Sequence, residues 1–314
     1  MTKKLLLNKK GSLGKTSLII FIVCSILFFA YSDALKNYIL YGIRLSVVSI
    51  VPSLFPFFVI SDYLYKNSDF SNDGFFCSLF QKIFGISGRG AVAFALGNLC
   101  GFPLGAKCAA ELYQDGLITK DECERLVIIS NNPSLAFVIS YVGAGLFGSI
   151  TIGIKIYLSI IFSSVILGLI LRKKYRKNEY STFIKRQNYN FSDSIKDAGV
   201  SSLTVSSFII FFSGIIGILK ELIKKPFWVL LFSSVLEVGG GVSEIANSSL
   251  DSLSKLLLSA FSLGFSGLSV FLQAFSFLPS QISKYRLFTF KIFQAILSCF
   301  FVILFCLLPK LFMV

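Results

Sequence analysis

The sequence predicts an all-α polytopic membrane protein of about seven spans plus two re-entrant helical hairpins, arranged in two structural repeats. Of its 314 residues, 54% are hydrophobic and 15% are charged, whereas a soluble domain carries about 25% charged residues. Several apolar runs are long enough to cross ~30 Å of hydrocarbon, and the alternating pattern of a spanning barrel is not seen. These runs are 18–32, 126–147, 154–171, 203–219 and 287–308.

The net charge of +14 indicates membrane topology rather than a nucleic-acid partner. Positive side chains cluster in the N-terminal segment 1–16 and in the loop 172–200, which opens with "RKKYRKNEYSTFIKRQ". Because basic segments beside spans stay in the cytoplasm, we expect both segments there, with an uncleaved first span at 17–35. Contact with anionic lipids of the bilayer is a secondary role for either cluster.

Cysteine and histidine usage argues against a metal site, a cofactor or a disulfide framework. The seven cysteines include no close CxxC pair, and the chain contains no histidine. Such cysteines most often pack as small apolar residues. The sequence also lacks a nucleophile–base pair and a phosphate loop of recognised spacing. We therefore expect no catalytic residues, no cofactor and no enzymatic activity.

Residues 88–115 predict a helical hairpin within the membrane. The apolar segment 88–99 would form a helix of about 18 Å, which is too short to cross a bilayer. The segment "GFPLG" (101–105) then breaks the helix with two glycines and a proline. Two half-length helices joined by such a turn can hold irregular backbone at membrane depth. The alternative is a single kinked span.

Several further segments contain helix breakers. "VPSLFP" (51–56) has two prolines, "NNPS" (131–134) has one, and "EVGGG" (237–241) has three glycines. Each of these disfavours a continuous helix. The apolar segment 74–85 is too short to cross and is typical of a helix at the membrane interface.

An order of broken span, hairpin and span occurs twice along the chain. Paired interrupted segments in two halves indicate a transporter with a solute site near the bilayer midplane. With both basic segments in the cytoplasm, the halves would share one orientation, whereas an inverted repeat needs an odd offset. Either a segment is miscounted, or one hairpin is a full span. The first half, 17–171, contains 41–65, 88–115 and 126–147; the second, 201–314, contains 226–247, 256–279 and 287–308.

Two charged residues beside the breaks are candidates for solute binding. Glu237 lies inside an apolar run, where a carboxylate is costly unless it is paired, protonated or functional. Lys107 lies in the first turn after "GFPLG", where free amides at a helix N-terminus attract an anion and an ammonium adds positive charge. The alternatives are a structural ion pair for Glu237 and a solvated pair with Glu111 for Lys107.

Polar and small residues near the breaks complete the candidate set. Amides and hydroxyls there can donate and accept hydrogen bonds to a solute, and glycines allow close approach of the backbone. Taken singly, each polar residue is also explained as a hydrogen bond between helices. The predicted substrate-binding residues are Asn98, Gly101, Gly105, Lys107, Asn131, Asn132, Glu237, Gly264, Ser266 and Gln273, with Ser134 beside them.

Four blocks of sequence carry a family resemblance. The longest is "GFPLGAKCAAELYQDGLITKDECERLVIISNNPSLAFVISYVGAGLFG" (101–148), and the others are "VPSLFPFFVIS" (51–61), "LEVGGG" (236–241) and "LGFSGLSVFLQ" (263–273). In these blocks the chain resembles the sporulation integral membrane proteins known as the YlbJ or SpoVV family. The resemblance implies a Gate, or nucleoside-recognition, domain over 41–308, similar to concentrative nucleoside transporters.

The same resemblance implies a sporulation membrane transporter of a small anionic solute. The implied solute is dipicolinic acid, moved from the mother cell towards the forespore across the outer forespore membrane; two helix N-termini and Lys107 would suit such a dianion. Because Glu237 would repel it unless protonated or paired, a nucleoside or other small solute held by Glu237 and Gln273 is the alternative. A non-transporting scaffold or subunit of a spore-membrane complex stays open, as does a homo-oligomer.

Overall fold

The computed structural model describes residues 13–67, 74–174 and 189–307. Within those ranges the chain forms fourteen α-helices and two π-helical segments, without a β-strand. Four helices are long and apolar enough to cross a membrane, or up to six if each of two bent pairs counts as one span. The all-α polytopic class is confirmed. The span count falls below the predicted seven because several apolar segments are broken into helices too short to cross.

The first membrane segment begins with a sharp bend and continues as a long helix. Helix α1 (Leu13–Ala30) and the helical stretch that starts with α2 (Ser32–Leu45) are bent by 92°. The π-helical segment π1 (Ser46–Ile50) and α3 (Val51–Asn67) follow α2 directly, so the expected interruption at 51–56 is wrong. Pro52 comes just after π1, whose wider turn can accommodate a residue without an amide donor.

The chain then forms a short amphipathic helix and the first hairpin. Helix α4 (Phe75–Phe84) is bent by 88° from α5 (Gly88–Cys100). The chain reverses after α5, and α6 (Leu104–Gln114) packs back on it. This is a helical hairpin with its tip at Gly101–Pro103, and a single kinked span does not form.

A broken span and an unbroken one complete the first half. Helix α7 (Lys120–Ser130) ends at the non-helical residues 131–134, and the π-helical segment π2 (Phe137–Leu146) follows. Helix α8 (Ile150–Ile170) is a candidate span of 21 residues. The break at "NNPS" therefore lies where the sequence predicts it.

In the second half, the predicted hairpin and broken span exchange places. Helix α9 (Phe191–Leu222) precedes α10 (Pro226–Leu236) and α11 (Val238–Asn247), and these last two pack on each other. A Cβ on Gly241 would lie 2.4 Å from the Cα of Ser234, which shows how closely the two helices approach. The second hairpin thus spans 226–247.

The predicted hairpin over 256–279 is instead a full span. Helices α12 (Ser252–Phe265) and α13 (Gly267–Phe277) together form a candidate span of 26 residues, interrupted at Ser266. Helix α14 (Lys284–Leu307) closes the chain. A glycine turn inside an apolar run can either reverse the chain into a hairpin or join two helices that continue across the membrane in one span. Here α12 and α13 continue in one span.

The resulting repeat is span, hairpin, broken span and span, and its two copies run in opposite directions. The first spans pack antiparallel, because Gly217 on α9 meets Tyr38 on α2 while Asp197 on α9 meets Lys66 on α3. The closing spans α8 and α14 also pack together. Asp121, in the first turn of α7, contacts both Lys173 after the end of α8 and Arg286 at the start of α14. The repeat is therefore inverted. When 256–279 counts as a span rather than a hairpin, the two halves no longer share one orientation, and the conflict noted in the sequence is removed.

We define the first unit as hairpin α5–α6 with broken span α7–π2, and the second unit as hairpin α10–α11 with broken span α12–α13. The units contact each other reciprocally. Helix α6 of the first packs against α13 of the second, and α11 of the second packs against π2 of the first. This arrangement brings residues of both hairpin tips, Phe102 and Glu237, to the wall of one pocket.

Candidate functional site

A pocket lies where the two units meet. Its cavity volume is only about 40 Å³, and it is bounded by both hairpin tips, the non-helical residues 131–134 (the first break), α13, the π1–α3 stretch and α9. Most of its wall is apolar, with the rings of Phe102 and Phe137 among the lining side chains. Its polar side chains are Ser134, Glu237 and Gln273. No cationic side chain of the described residues lines it.

Glu237 forms the tip of the second hairpin. Its side chain is 3% exposed, and its carboxylate caps α11 by accepting hydrogen bonds from the amides of Gly239, at 2.8 Å, and Gly240. A carboxylate favours this position because the N-terminal amides of a helix are otherwise unpaired and the helix dipole is positive there. Within the described chain Glu237 has no cationic partner, so the alternative of a structural ion pair is not what the structure shows. Backbone amides at the pocket wall therefore hold its carboxyl group in place.

Gln273 offers an unused hydrogen-bond acceptor to the pocket. Its side chain is 2% exposed, and Nε2 donates to the Ser269 hydroxyl at 3.2 Å. Its Oε1 is buried without a partner among the described residues. A buried amide oxygen without a donor is costly. A solute donor reaching Oε1 would remove that cost.

The tip of the first hairpin packs closely against the first break. Ser134, Gly101 and Gly105 lie at this contact. The Ser134 hydroxyl accepts from the Phe137 amide at 3.1 Å and so caps the helix that begins at Leu135 and continues as π2. A Cβ at Gly101 would lie 2.5 Å from the Ser134 nitrogen, and one at Gly105 would lie 2.3 Å from the Ser130 carbonyl oxygen. The predicted substrate-binding residues Gly101 and Gly105 are therefore packing positions.

Lys107 lies in a buried ion pair rather than at the pocket wall. It is 7% exposed, and its ammonium contacts the two carboxylate oxygens of Asp62 at 2.7 and 3.0 Å and the Ser201 hydroxyl at 3.1 Å. The Asp62 carboxylate neutralises the Lys107 charge, which was expected to hold an anion. Because Lys107 is buried, it does not form the solvated pair with Glu111 that was the alternative. Sequence reasoning missed Asp62, although its position inside the apolar segment 41–65 is the same signal that singled out Glu237.

The three asparagines belong to a buried polar cluster behind the first break. Asn132 Nδ2 donates to the side-chain oxygen of Asn98 at 2.7 Å and to the Ile129 carbonyl at 3.0 Å. Asn131 contributes its backbone carbonyl, which accepts from Lys291. Lys291 was not predicted, because a lysine near the start of an apolar run resembles an ordinary span end.

The last two predicted residues, Gly264 and Ser266, lie at the interruption between α12 and α13, which we call the second break. A Cβ on Gly264 would lie 2.7 Å from the Ser298 hydroxyl and 3.0 Å from the Ala295 Cα, so this glycine allows α12 to pack closely on α14. Ser266 has a φ of 79°, in the left-handed region, and its buried hydroxyl has no partner among the described residues. Of the ten predicted residues, only Glu237 and Gln273 line the pocket.

Comparison with known proteins supports the family resemblance. The chain is 26% identical over 301 aligned positions to the sporulation integral membrane protein YlbJ of Bacillus subtilis (strain 168), covering 81% of this chain and 73% of the relative. This confirms the resemblance to the YlbJ family. The similarity to YlbJ and the apolar helices together support an integral membrane protein of sporulation. No family model and no solved structure matches the chain.

Proposed function

We propose that this chain is a transporter that carries a small solute across a membrane through the pocket between its two units. The convergence of broken helices from two inverted halves on one pocket carries this proposal. Irregular backbone within a membrane protein is tolerated where it is packed by protein or lines a cavity, and transporters place solute sites at such breaks. A scaffold has no need of this arrangement, and the pocket groups suggest binding rather than enzymatic chemistry.

The pocket lining best supports an uncharged solute with a flat ring and hydrogen-bond donors. Glu237 and Gln273 supply acceptors, while Phe102 and Phe137 supply apolar surface for a ring. Lys107 cannot balance a negative solute at the wall, since Asp62 already neutralises it. A nucleoside has these features, with ribose hydroxyls as donors to the carboxylate, and its binding requires the pocket to widen beyond its present volume of about 40 Å³.

Dipicolinate is the second candidate, and the sporulation name of the relative supports it. Transport from the mother cell across the outer forespore membrane is the corresponding route. A dianion next to ionised Glu237 would be repelled strongly in a low-dielectric pocket. Dipicolinate transport therefore requires protonation of Glu237, which would couple uptake to protons.

Uptake into liposomes containing the purified protein tests the proposal and separates the solutes. Labelled uridine and labelled dipicolinate are each supplied to wild type, Glu237→Gln and the control Glu221→Gln, which alters an exposed carboxylate on α9. We expect uridine uptake that falls at least ~10-fold in Glu237→Gln and is unchanged in Glu221→Gln. Dipicolinate uptake driven by an inward proton gradient would select the second candidate. Uptake of neither solute by folded protein contradicts the proposal and favours a scaffold or subunit of a spore-membrane complex.

A further inference from the structure

Lys291 is a buried cation without a buried anion. It lies on α14 with 0% of its surface exposed. Among the described residues, its hydrogen-bond partners are uncharged oxygens, and no carboxylate forms an ion pair with it. An isolated ammonium in such surroundings is costly unless its donors are satisfied and a negative potential faces it.

Three oxygens surround the ammonium nitrogen. Nζ donates to the Asn131 carbonyl oxygen at 2.5 Å, to Asn132 Oδ1 at 2.9 Å and to Gln294 Oε1 at 2.9 Å. An ammonium has three N–H donors, so this set uses all of them. Gln294 Nε2 also donates to Asn132 Oδ1 at 2.7 Å, which fixes both amides with their oxygens towards the lysine.

The position of this cluster explains why a positive charge is favoured there. Asn131 is the C-cap of α7, so its carbonyl lies at the negative end of a helix that stops at the first break. The last carbonyls of such a helix have no partners within it. Exposed carbonyls and amide oxygens at the end of a broken helix are also the groups with which membrane proteins bind monovalent cations.

We propose that this cluster is a monovalent-cation site that the chain fills with its own ammonium. The Lys291 ammonium then occupies the position of a free monovalent cation among the oxygens at the first break. No sodium ion is needed there, because the lysine side chain supplies the positive charge as a covalently attached, or tethered, cation. The proposal about Lys291 concerns the folded protein and stands whether or not the proposed transport occurs. If the chain is a transporter, its uptake does not use sodium at the first break.

Chemical rescue of a truncated lysine tests the proposal. Lys291→Ala removes three carbons and the ammonium, which together have the size of n-propylammonium. The melting temperature of purified Lys291→Ala is measured with n-propylammonium, with the uncharged n-propanol, and with sodium or potassium in place of choline. Lys284→Ala, which removes an exposed lysine from the same helix, is the matched control.

We expect Lys291→Ala to melt at least ~5 °C below wild type, since three buried oxygens lose their donor. n-Propylammonium should restore at least half of the loss and n-propanol should not, while wild type and Lys284→Ala respond to neither. A stabilising effect of sodium on Lys291→Ala alone would also support the site. A melting temperature equal to wild type, or equal rescue by n-propanol, would overturn the proposal, because the lysine would then act only by filling space.

A second pair of variants applies if Lys291→Ala does not fold. Lys291→Arg keeps the positive charge, whereas Lys291→Met keeps the length and removes the charge. Folded protein for the arginine variant but not for the methionine variant supports a tethered cation. Equal yields of the two variants contradict it.

Discussion

The first break accepts side-chain hydrogen bonds from α5 and from two helices outside the first unit, α8 and α14, whereas among the described residues no side chain from outside the second unit bonds to the second break at Ser266. Around the first break, side chains of α5, α8 and α14 satisfy the ending carbonyls of α7. In the second unit, Glu237 caps the helix that follows it, and the Ser266 hydroxyl at the break has no partner in the part of the chain that the structure describes. The first break is therefore held by more side-chain hydrogen bonds from other helices than the second break is.

The ties between each unit and the first spans differ in the same way. Helix α6 of the first unit is joined to α3 by the buried pair Lys107–Asp62, whose side chains are 8% and 2% exposed. Helix α11 of the second is joined to α9 by Lys220–Glu244, whose side chains are 21% and 39% exposed. A buried pair is costly to break from one side, whereas a pair that is partly open to solvent contributes less. The first unit is therefore the one we expect to depend on its charges.

The largest effect is expected at Asp62. Asp62→Ala leaves Lys107 buried and unpaired, which should destabilise the protein by about 3–5 kcal/mol. Glu244→Ala, the matched change in the second unit, should cost less than about 1 kcal/mol. Melting temperature and yield of monodisperse protein measure both. The double variant Asp62→Leu with Lys107→Met should recover most of the loss; failure to recover would show that the ion pair is not the cause.

The two hairpin tips should respond differently to an added methyl group. Gly101 has a φ of 89°, and a Cβ there would lie 2.5 Å from the Ser134 nitrogen. Gly101→Ala should therefore lower stability by about 2 kcal/mol or more. A Cβ at Gly240 would meet only the far end of Glu237, at 3.1 Å, so Gly240→Ala should change stability by less than about 1 kcal/mol. Thermal melting of the two variants provides the comparison, and equal losses would contradict it.

The smallest effect is expected at the second break, and it has the opposite sign. Ser266 adopts a left-handed conformation that glycine adopts freely, and its hydroxyl meets no partner within the described ranges. Ser266→Gly should raise the melting temperature by roughly 1–3 °C. Ser134→Gly, the matched change at the first break, should lower it, because the cap on the helix that begins at Leu135 is lost. A decrease for Ser266→Gly would mean that its hydroxyl has a partner in the membrane.

The sequence predicted the parts of the fold that depend on local chain chemistry. The hairpin at 88–115 and the break at 131–134 follow from glycine and proline within apolar runs. At 226–279 the same reasoning located both breaks and exchanged their geometries. The chain reverses direction at Glu237 and continues in the same direction after Ser266. This difference depends on tertiary packing, such as the close approach of Gly241 to Ser234, and no local sequence pattern encodes that packing.

The site was predictable only where one residue carried the signal. Glu237 and Gln273 line the pocket, and both lie at or beside breaks in apolar runs. Lys107 was also noticed, but its partner Asp62 is 45 positions away, and that pairing decides what its charge can do. Lys291 lies in a stretch that resembles a span end, and only its contacts show that it is wholly buried.

Water access to the pocket is the most direct test of transport through it. In liposomes, Gln273→Cys is treated with a membrane-impermeant thiol reagent, and the parent protein supplies the baseline of the seven native cysteines. Leu272→Cys serves as a neighbour that is exposed on the outside of the protein and does not line the pocket. We predict that Gln273→Cys is modified above this baseline and that the solute found in the uptake assay slows the modification, whereas Leu272→Cys is unaffected by solute. A Gln273→Cys thiol that stays unmodified from either side of the membrane would contradict a transport pathway through the pocket.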